Sequence, residues 1–133
     1  MAIDYGLKRT GLAVSDPLRI IATPLETVAT EKIFEYLKSY CSKEPVDQFV
    51  VGMPRNLKNE DSAIAPAVRK FITELKTLLP HIPIEEADER FTSSMAQRAL
   101  IDGGMKKKDR QKKENVDRVS AAIILQSFLY RIG

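Results

Sequence analysis

The chain holds one cysteine, Cys41, and one histidine, His81. These are too few for an intramolecular disulfide, for a clustered zinc site, or for a serine- or cysteine-based catalytic relay, and the G-x-S-x-G elbow is missing as well. A reducing cytoplasm is the simplest setting. Nowhere do about 18 apolar residues run together, and the N-terminus enters a strand pattern without a basic and then apolar leader, so neither a membrane span nor secretion is expected. Internal repeats and low-complexity tracts are also absent. The seven prolines and six glycines are scattered as punctuation, and 44% hydrophobic content in 133 residues suffices for one core. One compact domain over 1–133 is the expectation.

What is present is a βα pattern. "MAID" and "TGLAVSD" read as two strands joined by a tight glycine-containing turn, and "RIIATPLETV" as a third strand limited by Pro24. "EKIFEYLKSYC" carries Ile33, Phe34, Leu37, Tyr40 and Cys41 at helical spacing, and "VDQFVVGMP" follows as a buried strand. A second helix places Val68, Phe71, Ile72, Leu75, Leu78 and Leu79 on one stripe and stops before Pro80. "IPIEEAD" reads as the fifth strand. A short helix capped within Thr92 to Ser94 stops at Gly103 and Gly104, and a last helix begins near Asn115. This order predicts a five-stranded mixed sheet with helices on both faces, antiparallel at one edge and parallel through βαβ crossovers elsewhere. The first strand is short, which means either that the native start lies upstream of Met1 or that the strand is unusually trimmed.

Parallel strands gather their carboxyl ends on one rim, the usual ligand site of an open α/β sheet. Asp4 ends the first strand, and Asp88 and Glu89 end the fifth. If strands 1 and 4 are neighbours and strand 5 lies beyond 4, these acids converge near Gly52, whose missing side chain leaves room. Asp117 falls in line with Ala121, Ile124 and Phe128, on the stripe of the last helix that faces the sheet. Taken singly, each acid has a plainer reading: a turn residue at Asp4, a solvated strand end at Asp88 and Glu89, a helix first turn at Asp117. Their coincidence points elsewhere. Carboxylates held this close repel unless a cation lies between them, and oxygen-only ligands suit Mg²⁺ or Mn²⁺. Such a site polarises a phosphoryl oxygen and generates a hydroxide nucleophile for in-line displacement. Asp16, in "SDP", reads as a turn residue only.

Positive charge is concentrated. Lys106, Lys107, Lys108, Arg110, Lys112 and Lys113 lie in one stretch with a single acid, within a chain of net charge +3, so the remainder is mildly acidic. A basic segment on an acidic body fits a local anionic partner, and it would hold a nucleic-acid backbone without reading sequence. With no aromatic residue among those lysines, base stacking has no support there. Lys8 and Arg9 stand where they could contact phosphate beside the acids, and Arg90 where it could pair with a carboxylate or hold substrate.

Together "IDYGLKRTGLAVSD", "VVGMPRNLKNEDS", "ADERFTSSMAQRAL" and "VDRVSAAIILQSFL" resemble, in order and over nearly the whole chain, the YqgF (RuvX) family of pre-16S ribosomal RNA nucleases related to Holliday-junction resolvases. The resemblance implies a ribonuclease H-like fold and a role in maturing the 5′ end of small-subunit ribosomal RNA. It also implies metal ligands at Asp4, at Asp88 or Glu89, and at Asp117, with Glu89 preferred over Asp88 because strand alternation turns neighbours to opposite faces.

The expectation is therefore a metal-dependent nuclease of RNA, active as a monomer or a weak homodimer. Three alternatives stand beside it. Branched DNA as substrate would require a dimer with paired sites. "DYGLKRTG" also fits the D-x-G-x-x-x-x-G phosphate loop of actin-like ATPases, but those clamp nucleotide between two domains and this chain has length for one. A non-catalytic RNA-binding assembly factor would keep the same residues without turnover.

Overall fold

The computed structural model describes residues 1–53, 64–88 and 113–132. Five strands, β1 (Ala2–Asp4), β2 (Arg9–Ser15), β3 (Ala22–Ala29), β4 (Phe49–Met53) and β5 (Ile84–Asp88), form one sheet in the order β3-β2-β1-β4-β5. β1, β2 and β3 pair antiparallel, whereas β1 pairs parallel with β4 and β4 parallel with β5. Three helices accompany them: α1 (Ile33–Lys43), led by a 3₁₀ turn over Thr30–Lys32, α2 (Ala65–Leu78) and α3 (Lys113–Ile132). This is the expected mixed sheet flanked by helices. The helix expected after Thr92 lies outside the described residues.

Strand alternation divides the interior into two cores. Ile3, Leu12, Phe49, Val51 and Met53 face one way and pack with Ile33 and Leu37 of α1 and Val68, Phe71 and Leu75 of α2. Their neighbours Ala2, Ala13 and Val50 face the other way, against Ala121, Ala122, Ile124, Leu125, Phe128 and Leu129 of α3. β4 is covered on both faces, so it reads as an unbroken apolar run. On the α3 side the meeting residues of β1, β2 and the helix are alanines. With only a methyl group at each position, the helix backbone can lie close to the strands.

The third strand begins at Ala22, three residues later than the pattern around Arg19 suggested. The cause is Asp16, whose Oδ1 accepts the N–H groups of Ile20 (2.7 Å) and Ile21 (2.8 Å) and folds those residues into a loop. Arg19, at φ 59°, makes the reversal. The same bonds, that from Ile21 first, hold the Asp16 carboxyl below its ordinary pKa. The loop's stabilisation is thus complete above the unfolded carboxyl's pKa and fades as pH falls through the lowered one. Gln126 then fastens α3 to this loop, its Oε1 accepting the Ala22 N–H at 2.9 Å and its Nε2 donating to the Ile20 carbonyl at 3.0 Å. Pro24 sits on β3, an edge strand, next to a register shift opposite Leu12 and Ala13, where a missing N–H is tolerated.

The alanine seat can be tested. Ala121 is fully buried, and Ala121→Leu would force α3 off β1 and β2. A loss of about 1–3 kcal/mol is expected from overpacking, read as a lower urea midpoint, whereas Ser127→Leu on the exposed side of the same helix should leave the midpoint unchanged.

Candidate active site

The carboxyl ends of β1, β4 and β5 lie on one rim. Ile3 pairs with Val51, and in the β4–β5 register Gly52 faces Ala87 and Met53 faces Asp88. Asp4 therefore ends β1 level with Gly52, and Asp88 ends β5 one step further along, with β4 between them. The strand order expected from the sequence is thus observed, with Gly52 on the strand between the two ends. Asp4 is half-buried. Alternation puts it on the face of Ala2, the face that α3 covers.

Asp117 lies on α3 one turn before Ala121, and Ala121, Ile124 and Phe128 do face the sheet as the stripe required. Helix α3 thus brings Asp117 to the side of the sheet on which Asp4 stands. Of the four predicted acids, Asp4 is the one whose side chain is described, and among the described residues no three His, Cys, Asp or Glu side chains gather. Glu89, Arg90, Lys106, Lys107, Lys108, Arg110 and Lys112 lie outside the described residues; Lys113 is the first residue of α3.

Behind Asp4 the chain reverses through Tyr5–Lys8 before β2. Gly6 is required there, because a Cβ at this position would run into the carbonyl oxygen of Arg9. Lys8 is exposed at the tip, while Arg9 opens β2 and is half-buried. The two basic residues thus stand in different surroundings, with Lys8 the more accessible to a polyanion.

Two threonines, which the sequence pattern did not single out, hold the turn. The Thr30 hydroxyl donates to the Gly6 carbonyl at 2.6 Å, and its backbone N–H donates to the Lys8 carbonyl at 3.0 Å. Thr10 Oγ1 lies 2.9 Å from Thr30 Oγ1. A hydroxyl has one hydrogen, and that of Thr30 goes to Gly6, so Thr10 is the donor in this pair. Thr10 is fully buried. Its polar side chain inside an apolar strand was the one available signal of the clamp.

An α/β protein with carboxylates on the rim of a mixed five-stranded sheet, and an acid-bearing helix laid over that sheet, has the architecture of the ribonuclease H-like class. The family model described as "RuvX: Holliday junction resolvase" matches residues 1–131. The chain belongs to the RuvX family. It is 53% identical over 129 residues to a protein of Amoebophilus asiaticus, covering 97% of this chain and 92% of that one. It is 50% identical over 129 residues to one of Phocaeicola vulgatus (97% and 93%) and 46% identical over 131 residues to one of Flavobacterium psychrophilum (98% and 96%). Each of these relatives bears the name "Putative pre-16S rRNA nuclease".

Removing the clamp should loosen the turn. Thr30→Val leaves the buried Thr10 hydroxyl and the Gly6 carbonyl without their partner, and a cost of about 1–3 kcal/mol is expected. Thr30→Ser keeps both bonds and should recover most of it. Urea unfolding of the two variants checks this, and equal midpoints would refute the clamp.

Proposed function

We propose that this chain is a metal-dependent nuclease that hydrolyses phosphodiester bonds in precursor 16S ribosomal RNA, maturing its 5′ end during ribosome biogenesis in the cytoplasm. The observation that carries this reading is that β1, ending at Asp4, and β5, whose last residue precedes Glu89 in the sequence, flank β4 with their carboxyl ends on one rim, with Asp117 on the helix that covers the face of Asp4. Membership of the RuvX family and the names of its relatives support the RNA substrate. Among the described residues no helix is long and apolar enough to cross a membrane.

The donor chemistry fits a hard divalent cation, since Asp4, Glu89 and Asp117 offer only carboxylate oxygens and the neighbourhood holds neither cysteine nor histidine. Mg²⁺ is the first candidate and Mn²⁺ the second. Such an ion supplies charge stabilisation at the phosphoryl group and activation of the attacking water. Asp88, beside Glu89, is the alternate ligand. The chain's own part is positional. Asp4 is paired with Gly11 of β2 and follows directly on the Ile3–Val51 pair with β4, and the clamped Gly6 turn behind it carries Lys8 exposed at its tip. Lys106, Lys107, Lys108, Arg110, Lys112 and Lys113, with Arg9 and Arg90, would hold the RNA backbone by charge. All of this falls within a single ribonuclease H-like domain over 1–133.

Wild-type protein is expected to cut a 5′-extended small-subunit rRNA fragment in Mg²⁺ or Mn²⁺ and not in EDTA. Asp4→Asn should lower the rate at least roughly a hundredfold, since loss of a ligand exceeds the roughly 10–100-fold cost of disturbing a residue that only supports one, with RNA binding retained. Full activity in Asp4→Asn, or cutting in EDTA, would overturn the reading.

A second reading takes branched DNA as substrate, favoured by the family description as a Holliday junction resolvase. Symmetric cutting of a junction needs two sites related by a two-fold axis. Sedimentation separates the readings: the RNA nuclease is expected as a monomer or a weak homodimer, whereas a resolvase must sediment as a dimer at the concentrations where it cuts.

A further inference from the structure

On the other side of the rim, against α1 and α2, lies a cleft of about 280 Å³ that the metal chemistry does not use. Its floor is aromatic. The Tyr5 ring centroid lies 4.8 Å from that of Phe71, and Phe34 stacks on Phe71 at 5.4 Å with 27° between planes. Phe71 is buried, while Tyr5 and Phe34 are half-buried and keep ring surface toward the cleft. Lys70 and Glu74, one helical turn apart and both exposed, line it from α2. Thr30, the clamp of the Gly6 turn, lines the wall nearest the rim.

Three properties narrow the occupant. Ring surfaces in a narrow cleft take a flat group in preference to a branched aliphatic one. Lys70 supplies a cation for an anion carried with that group, and Glu74 supplies an acceptor for N–H donors on its edge. A planar group with N–H donors at its edge and a phosphate at its back is a nucleotide. Position decides the rest. Tyr5 follows Asp4 directly, with Cα atoms about 3.8 Å apart, and its side chain packs with the core under α1 and α2, whereas alternation puts Asp4 on the α3 face. A strand of nucleic acid lying across the rim with a phosphate at Asp4 can therefore turn an adjacent base over the edge and into the cleft.

We propose that the Tyr5–Phe34–Phe71 cleft is a subsite for one unpaired base of the RNA strand, next to the phosphate at Asp4. The proposal rests on the nuclease reading and adds to it a substrate requirement. The RNA must be unpaired at that nucleotide, because a base within a duplex cannot leave its stack without loss of pairing. Single-stranded stretches at the end of precursor rRNA satisfy this, and a continuous duplex does not.

The test measures binding, so it is independent of turnover. Asp4→Asn protein in EDTA is titrated against a short single-stranded oligoribonucleotide carrying one 2-aminopurine, and against the same oligonucleotide with an abasic site in its place. The expected result is quenching of the 2-aminopurine on binding and an affinity roughly tenfold higher than for the abasic strand, the scale of one base stacked on an aromatic ring. Tyr5→Leu and Phe34→Leu keep an apolar side chain and should lose both effects while their circular dichroism stays that of the folded protein, with melting only modestly lowered by the lost ring contacts. Should either fail to fold, the exposed Lys70→Ala serves instead, with weaker affinity and undiminished quenching at saturation. Equal affinity for intact and abasic strands, or wild-type quenching in folded leucine variants, would overturn the proposal. Metal-dependent cutting by wild type alongside equal affinities would remove the cleft and leave the nuclease. Base-dependent quenching without any cutting would keep the cleft and remove the nuclease.

Discussion

The close seating of α3 on β1 and β2 is the contact on which the site depends. Ala2, Ala13, Ala121 and Ala122 meet there, and a larger side chain at any of them would lift the helix from the strands. Larger residues further along, Ile124, Leu125, Phe128 and Leu129, supply the buried apolar area that holds the helix down. Gln126 fixes where along its axis the helix sits, by gripping the loop between Ile20 and Ala22. The alanines thus set height and the glutamine sets register. Asp117 is carried on the same helix, so on the proposed function both constraints bear on the metal site.

The turn behind Asp4 is constrained in a complementary way. Gly6 admits the Arg9 carbonyl at close range, and Thr30 fills the hydrogen-bonding needs of the backbone that results. Because Thr30 belongs to the connection between β3 and α1, the turn is tied to the α1 side of the sheet, whereas Asp4 faces the α3 side. Rigidity on one face positions chemistry on the other. The Arg19–Asp47 ion pair, 3.0 Å long but exposed on both partners, adds little to this by comparison.

Most of the architecture was legible in the sequence because it rests on periodicity. Leu12 and Val14 alternating with smaller residues and the unbroken run of β4 marked the strands, and the stripes of α1, α2 and α3 marked the helices. The placement of Asp4 and Asp88 on one rim followed from strand order, which the parallel pairing of β1 with β4 and of β4 with β5 bears out. What periodicity does not encode is where a side chain competes with the sheet for backbone N–H groups. Asp16 takes those of Ile20 and Ile21, so the β-branched run "RIIAT" starts as loop and not as strand. Nor does it encode contacts made only when two helices dock on one face. Tyr5, Phe34 and Phe71 are far apart in the chain, Phe34 and Phe71 read as ordinary helix stripe and Tyr5 as part of a turn, and their meeting is a product of α1 and α2 sharing a side of the sheet.

The end of a central strand is the one place in such a sheet where two consecutive residues serve two separate environments. Further back, both neighbours are sealed under helices, as Ala2 and Ile3 are here. One residue beyond the end the ladder has stopped, and packing decides where the side chain goes, as it does for Tyr5. Asp4 and Tyr5 straddle this boundary: the last ladder residue of β1 presents an acid toward α3, and the next presents a ring toward α1 and α2. On the reading proposed here, that dipeptide binds the two halves of one nucleotide, phosphate on one side and base on the other. The planar trans peptide unit then holds the two Cα atoms about 3.8 Å apart, so neither half of the pair can shift without the other.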